Sequence, residues 1–184
     1  VGQALSSYTL LQIDMTDNTP EQQAMMTEMV GRIRQVLDRE GRRRGRPILL
    51  AVRTPDDPEY CRKLGLDVEE WMAEGWVDLF IPAGYFQLRP WKDSVELGNR
   101  YGVNVYPCLS ESRIISWRSR EQSRMLRIHP RAYRGRALNA WLAGADGVYL
   151  FNSFNPRSRI WRELGDPAVL RELDRDYFAL ALGE

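Results

Sequence analysis

The sequence predicts an α/β fold in which short, buried, parallel strands alternate with amphipathic helices. Five apolar runs have the length and composition of strands buried on both faces, and helical patterns lie between them. Strands that alternate with helices form a parallel sheet with right-handed crossovers. The 184 residues contain no repeat and no low-complexity linker, so we interpret residues 1–184 as a single unit.

The predicted strands are Tyr8–Ile13, Ile48–Val52, Val77–Ile81, Val103–Tyr106 and Gly147–Phe151. The clearest helix runs from Pro20 to about Glu40, with Thr19 as its amino-terminal cap and Gly41 as its end. Further helices are predicted at Val68–Glu74, Trp91–Arg100, Arg131–Ala143 and Pro167–Leu173.

Two architectures fit this order of elements, an open doubly wound sheet and part of a (β/α)8 barrel. A nucleotide-binding sheet carries a glycine-rich turn after a strand, and none of the five runs is followed by such a turn. A complete barrel needs about 250 residues. If the fold is a barrel, the chain therefore contains only part of it.

Composition excludes several classes of function. The net charge is +1, which favours neither nucleic acid nor a membrane as partner. No apolar run approaches the roughly 18 residues that a membrane span requires. The single histidine, His129, and two distant cysteines, Cys61 and Cys108, make a metal site an unlikely feature, so we expect no metal and no cofactor.

Chemistry in parallel α/β folds takes place at the carboxyl ends of the strands. The residues that follow the five runs include carboxylates, an arginine, a tyrosine and amides. This mixture suits a sugar, since carboxylates and amides bind hydroxyls and aromatic faces pack on the C–H side of the ring. The candidates are Asp14, Arg53, Tyr85, Gln87, Glu111, Asn152 and Asn155.

Each candidate also has a structural interpretation. Asp14 can cap the next helix, and Arg53 can pair with Asp56 or Asp57 in its own loop. Tyr85 can be a packed loop aromatic and Glu111 a solvated acid. The two asparagines can be turn formers before Pro156.

The segment from Arg113 to Arg136 contains eight arginines and one acid, Glu121. Such a segment can bind an anionic ligand, with Arg113 nearest to the expected site, or it can be a solvated surface. An acidic protein partner is a further alternative. Nucleic acid is disfavoured, because the segment lacks the lysines, glycines and spaced aromatics of a known binding module.

Three blocks resemble bacterial glycoside hydrolase-like (β/α)8-barrel proteins of the family-10-like type. They are RGRPILLAVRTP, GLDVEEWMAEGWVDLFIPAGYF and RGRALNAWLAGADGVYLFNSFNP, and the resemblance covers roughly residues 20–178. Where these proteins carry a strand end of the type LELDFMR, this chain has LLQIDMTDN. The aspartate is kept as Asp14, whereas the preceding acid and the following arginine are not matched.

The resemblance implies that the chain is the carboxyl-terminal half of a barrel, with Gly147–Phe151 as the eighth strand. Counting back, Asp14 follows strand four and Glu111 follows strand seven, which are the positions of the acid/base and the nucleophile in many barrel glycosidases. The implied partners are a carbohydrate substrate and the remainder of the barrel, in a longer chain or another protein. The implied location is secreted or periplasmic.

The sequence therefore predicts a glycoside hydrolase that acts on a neutral or anionic glycan through Asp14 and Glu111. Arg53, Tyr85, Gln87, Arg113, Asn152 and Asn155 are the expected substrate-binding residues. Two alternatives remain open: a carbohydrate-binding barrel without catalysis, and an interaction domain whose arginine-rich loop contacts an acidic partner.

Overall fold

The computed structural model describes residues 19–83, 89–109 and 129–177. The helices are α1 (Pro20–Arg44), α2 (Pro58–Lys63), α3 (Val68–Ala73), α4 (Trp91–Tyr101), α5 (Pro130–Leu142), α6 (Ile160–Glu163) and α7 (Pro167–Glu172). The strands are β1 (Ala51–Thr54), β2 (Leu79–Pro82), β3 (Asn104–Val105), β4 (Cys108–Leu109) and β5 (Tyr149–Leu150).

The strands form two small parallel sheets with the order β1-β2-β3 and β4-β5. β1 pairs with β2 in the register Ala51 to Leu79, and β4 pairs with β5 in the register Cys108 to Tyr149. Neighbours in space are therefore neighbours in sequence. This confirms the predicted α/β fold with parallel strands near residues 48–52, 77–81, 103–106 and 147–151; the predicted strand at 8–13 lies outside the described residues.

Pro107 explains why one extended stretch divides into β3 and β4. The Tyr106 N–H donates to the Phe80 carbonyl of β2 at 2.8 Å, and the Tyr149 N–H donates to the Pro107 carbonyl at 3.0 Å. Proline has no N–H to give to a ladder. The stretch consequently pairs mainly with β2 before Pro107 and with β5 after it.

The helices pack on one face of these strands. Phe80, Val105 and the partly buried Val52 lie in a core cluster with residues of α1, α2, α3, α4 and α5. Leu109 and the partly buried Leu150 lie in a second cluster with residues of α5, α6 and α7. Alternate strand residues point to opposite faces, so these side chains define the helix-facing side of the sheet.

The other face carries its own small cluster, to which only strand residues and their immediate neighbours contribute. Its members are Ile81, Ala83 and Cys108, with Ala51, Tyr106, Tyr149 and Phe151 packed against them. Tyr106 lies close over Gly147, where an added Cβ would approach its ring to 2.5 Å. We call this the helix-free face for the described residues.

An ionic network fixes α1 to the amino ends of the strands. Arg34 donates to Asp78 at 2.8 Å and to the Ile48 carbonyl at 2.9 Å. The same Asp78 carboxylate accepts the N–H of Leu50 at 2.6 Å. One carboxylate thus joins the helix to the residue that precedes β1.

Three details differ from the expectations. The prediction that Gly41 ends the first helix is wrong: α1 continues to Arg44, and Gly45 ends it with a φ of 68°. Gly41 is buried where the backbone of Arg46 and Pro47 passes within 3.4 Å of a Cβ position, so its small size serves packing. The short helices α2 and α6, of six and four residues, were not predicted.

Among the described residues, no helix combines the length and apolar character needed to cross a membrane.

The close approach of α4 to β3 generates a first prediction. A Cβ at Gly98 would lie 2.6 Å from the Val103 carbonyl and would overlap a methyl group of Val105. We expect Gly98→Ala to lower the free energy of unfolding by about 1–2 kcal/mol, since overpacking outweighs the better helix propensity of alanine.

Denaturant unfolding measures this loss, and Gly165→Ala is the matched control. The nearest atom to a Cβ at Gly165 is 3.9 Å away, so the control should unfold like the unmodified chain. Equal stability of both variants would contradict the close packing of α4 on β3.

Candidate functional site

The carboxyl ends of β1 and β5 meet through an arginine and an aromatic ring. The guanidinium carbon of Arg53 lies 4.2 Å from the centroid of the Phe151 ring, a cation–π distance. Arg53 is exposed and Phe151 is half-buried, so the contact is at the surface of the strand ends. The sequence predicted Arg53 as a site residue but treated Phe151 only as strand.

This contact favours a curved sheet. β1 and β5 are separated by β2 and by the β3–β4 stretch, and a flat sheet would place them about 14 Å apart at the usual strand spacing. Side chains stand roughly perpendicular to a sheet, so on a flat sheet Arg53 and Phe151 would both have to lean far over to meet. The contact therefore indicates that the helix-free face is concave between β1 and β5.

Asn152 follows Phe151 in a backbone conformation that few side chains adopt. Its φ is 55°, and no other residue among the described non-glycine residues has a positive φ. Asparagine tolerates this region better than most residues, yet the conformation still costs free energy. Strain of this kind at the end of a strand is common where a side chain or a carbonyl is positioned for function.

Asn155 holds a turn. Its side-chain oxygen accepts the N–H of Arg157 at 3.1 Å, and its carbonyl accepts the indole N–H of Trp161 at 2.8 Å. In the same loop, Phe154 is 78% exposed. The loop after β5 therefore combines a fixed turn with an aromatic face that is open to solvent.

Asp57 is held by structural contacts at the end of β1. It caps α2 through the N–H groups of Glu59 and Tyr60, at 2.9 and 3.2 Å, and it pairs with Arg89 at 3.1 Å. Burial by itself would raise the pKa of Asp57, but the Tyr60 N–H and the Arg89 guanidinium outweigh it and lower the pKa. Asp57, one of the two acids that the sequence offered as partners of Arg53, therefore pairs with Arg89 instead. Arg53 lies over the Phe151 ring.

Cys61 is a buried residue of α2 with a structural role. Burial raises the pKa of its thiol to about 12, and the thiol donates to the Pro55 carbonyl at 3.2 Å. A thiol of this kind is protonated at neutral pH and is not a nucleophile.

Two described arginines of the basic segment form internal ion pairs, and a third, Arg136, lies 4.6 Å from the centroid of the Tyr133 ring. Arg134 is 5% exposed and donates from Nε and Nη2 to the two carboxylate oxygens of Glu163 at 2.9 and 3.1 Å. Arg134 also reaches the Asp174 carbonyl, and Arg131 pairs with Asp176 at 3.1 Å. These arginines attach α6 and the segment after α7 to α5.

Several predicted site residues lie outside the described residues. They are Asp14, Tyr85, Gln87, Glu111 and Arg113. Of the predicted site, the structure describes Arg53, Asn152 and Asn155, and it places Arg53 against Phe151, the residue before Asn152. Strand alternation could have identified Phe151, because it lies two residues after Tyr149 on the helix-free face.

Models of known protein families give no match to this sequence, and a comparison with curated proteins finds none either. Within the described ranges, no three histidine, cysteine, aspartate or glutamate side chains are grouped as metal ligands. The function is therefore inferred from the side chains at the strand ends.

Asp57 generates a prediction about pH. Because its pKa is lowered in the folded chain, the charged carboxylate adds stability above its ordinary pKa of 3.8, and this contribution is lost as the pH falls through the folded value. Asp57→Asn should unfold more easily than the unmodified chain at pH 7. The difference should shrink as the pH falls below 3.8, as measured by thermal unfolding across a pH series; a pH-independent difference would contradict it.

Arg134 generates a prediction about stability. Glu163, whose side chain is 14% exposed, pairs bidentately with Arg134 and also lies 3.5 Å from Arg159. Arg134→Gln removes the bidentate partner and leaves the Arg159 contact, so we expect a loss of about 1.5–3 kcal/mol in the free energy of unfolding. The exposed Arg171→Gln is the control and should change stability little; a similar small effect at Arg134 would show that the pair is not structural.

Proposed function

We propose that the chain forms the carboxyl-terminal half of a (β/α)8 barrel that binds a glycan at its strand ends and hydrolyses an O-glycosidic bond. The observation that carries the proposal is the contact of Arg53 with Phe151 across a concave, helix-free face. A barrel interior is concave and free of helices, and active sites of barrel enzymes lie at the carboxyl ends of the strands.

The strand order supports the barrel over a doubly wound sheet. A doubly wound sheet has helices on both faces and a point where the strand order reverses. Here neighbouring strands follow the sequence order, and the described helices pack on one face. Within the described ranges β1 and β5 each have one strand partner. In the proposal the strand predicted at Tyr8–Ile13 lies beside β1, and the remainder of the barrel covers the free edges of that strand and of β5.

The chemistry of the described strand ends supports a carbohydrate ligand. An exposed guanidinium can bind sugar hydroxyls or a carboxylate, and the exposed Phe154 ring offers an apolar face to the C–H side of a sugar. Asn152 adds an exposed amide beside Phe151. Arginine that is already stacked on an aromatic ring loses less conformational entropy when it binds.

Catalysis in this proposal depends on Asp14 as general acid/base and Glu111 as nucleophile or base. Two-carboxylate hydrolysis requires carboxyl groups about 5–5.5 Å apart for retention or about 6.5–9.5 Å apart for inversion. The assignment rests on the positions of both residues directly after predicted strands. Tyr85, Gln87 and Arg113 complete the proposed substrate-binding set, with Arg113 selecting for anionic sugars.

The interaction-domain alternative depends on the arginines of the basic segment that lie outside the described residues. On α5, Arg131 and Arg134 of that segment pair with Asp176 and Glu163 within the chain. The buried Arg134 is therefore not available to an acidic partner.

The proposal is tested by measuring glycan binding and hydrolysis, on matched neutral and acidic oligosaccharides, by this chain together with the remainder of the barrel. Arg53→Ala should weaken glycan binding about tenfold, the equivalent of one charge-assisted hydrogen bond. Arg113→Ala should weaken binding of acidic sugars alone. Arg171→Ala, an exposed arginine on α7, is the control and should bind normally.

Asp14→Asn and Glu111→Gln separate catalysis from binding. Each should abolish hydrolysis while the glycan still binds. Binding without hydrolysis by the unmodified chain would identify a carbohydrate-binding barrel instead. No glycan binding at all, or normal binding by Arg53→Ala, would refute the proposed site.

A further inference from the structure

Helix α1 presents an apolar stripe to solvent. Its members are Met25, Met29, Ile33 and Val36, with exposed fractions of 68%, 37%, 39% and 45%. Spacings of four, four and three residues place them on one face of the helix over about 16 Å at the rise of an α-helix. We call these residues the α1 stripe.

Helix α1 is apolar on two sides. Its core side buries Thr27, Val30, Gly31 and Gly41, with Met26 packed against the core, and the stripe lies outside this set. A helix that only covered a core would carry its large apolar side chains on the core side alone. A contiguous exposed apolar stripe is typical of an interaction surface.

Charges along one border of the stripe are arranged symmetrically. Glu21 and Glu28 lie in the amino-terminal half of the border, and Arg32 and Arg39 lie in the carboxyl-terminal half; all four are exposed. Glu21 and Arg39 are each nine residues from position 30, and Glu28 and Arg32 are each two residues from it. A helix with this arrangement is complementary to itself when it is reversed.

We infer that α1 docks against α1 of a second copy of this chain, antiparallel, across a twofold axis close to position 30. In this arrangement Glu21 faces Arg39 of the second copy, and Glu28 faces Arg32. Met25 lies opposite Val36, and Met29 opposite Ile33, within about one residue of helix rise. A twofold interface uses each contact twice, so four ion pairs flank one apolar seam.

Charge complementarity favours a second copy over an anionic surface or an acidic peptide. Either of those ligands would be attracted by Arg32 and Arg39 but repelled by Glu21 and Glu28 in the same border. Pairing with a second copy places each acid of the border opposite an arginine and each arginine opposite an acid. The inference does not depend on the carbohydrate proposal, because the stripe contains none of the residues at the strand ends.

Sedimentation velocity of the 184-residue chain over a range of concentrations tests the pairing. We expect a reversible dimer that the variant Met25→Lys/Met29→Lys weakens at least tenfold. Leu142→Lys/Val169→Lys is the matched control: it places the same charge on apolar positions of α5 and α7 that are 63% and 41% exposed, and it should leave the dimer intact. A monomer at about 100 µM, or equal effects of both variants, would overturn the inference.

Charge reversal tests the register of the helix pair. It also separates a loss of pairing from misfolding, because two misfolded variants would not form a heterodimer when mixed. Glu21→Arg/Glu28→Arg gives a wholly basic border, and Arg32→Glu/Arg39→Glu gives a wholly acidic one. Each variant alone should be monomeric at concentrations where the unmodified chain is dimeric, and an equimolar mixture should form a heterodimer. A mixture that stays monomeric, or single variants that still self-associate, would show that α1 does not pair in this way.

Discussion

A parallel sheet whose helices all lie on one face must cover its second face with its own side chains. Both faces of parallel strands are apolar here, and apolar surface left in water is costly. The described strands meet this constraint with their own side chains: Ile81, Cys108 and their neighbours gather on the helix-free face, and Arg53 reaches Phe151 across it. The contact that marks the candidate site therefore lies on the face that the described helices leave free.

The same constraint explains the tight contacts between helices and strands. Gly98 lets α4 approach β3 closely, and Gly31 lets α1 lie against the ring of Trp76. Where apolar area is limited, ion pairs complete the attachment of helices to their neighbours. Arg34 pairs with Asp78 at the amino ends of the strands, and Arg134 pairs with Glu163 of α6. A chain with 28% charged residues thus uses part of its charge inside the fold.

Charges on the surface have a different distribution. Ion pairs such as Glu28 with Arg32 on α1 are exposed and contribute little to stability by themselves. Their order along the helix, acids first and arginines later, instead gives α1 a direction that a second helix can recognise. The α1 stripe contains none of the residues at the strand ends, so a ligand and a second copy would not compete for the same side chains.

The sequence by itself determined the parallel α/β class and most of the elements, because buried strands and long amphipathic helices leave local patterns such as VDLFI or the spacing of Met26, Val30 and Ile33. It also placed Arg53 and Asn152 at strand ends. Only the tertiary structure decided that α1 runs past Gly41, that Pro107 divides one strand, and that Arg53 meets Phe151. These features depend on contacts between distant parts of the chain and on sheet curvature, which no local pattern encodes.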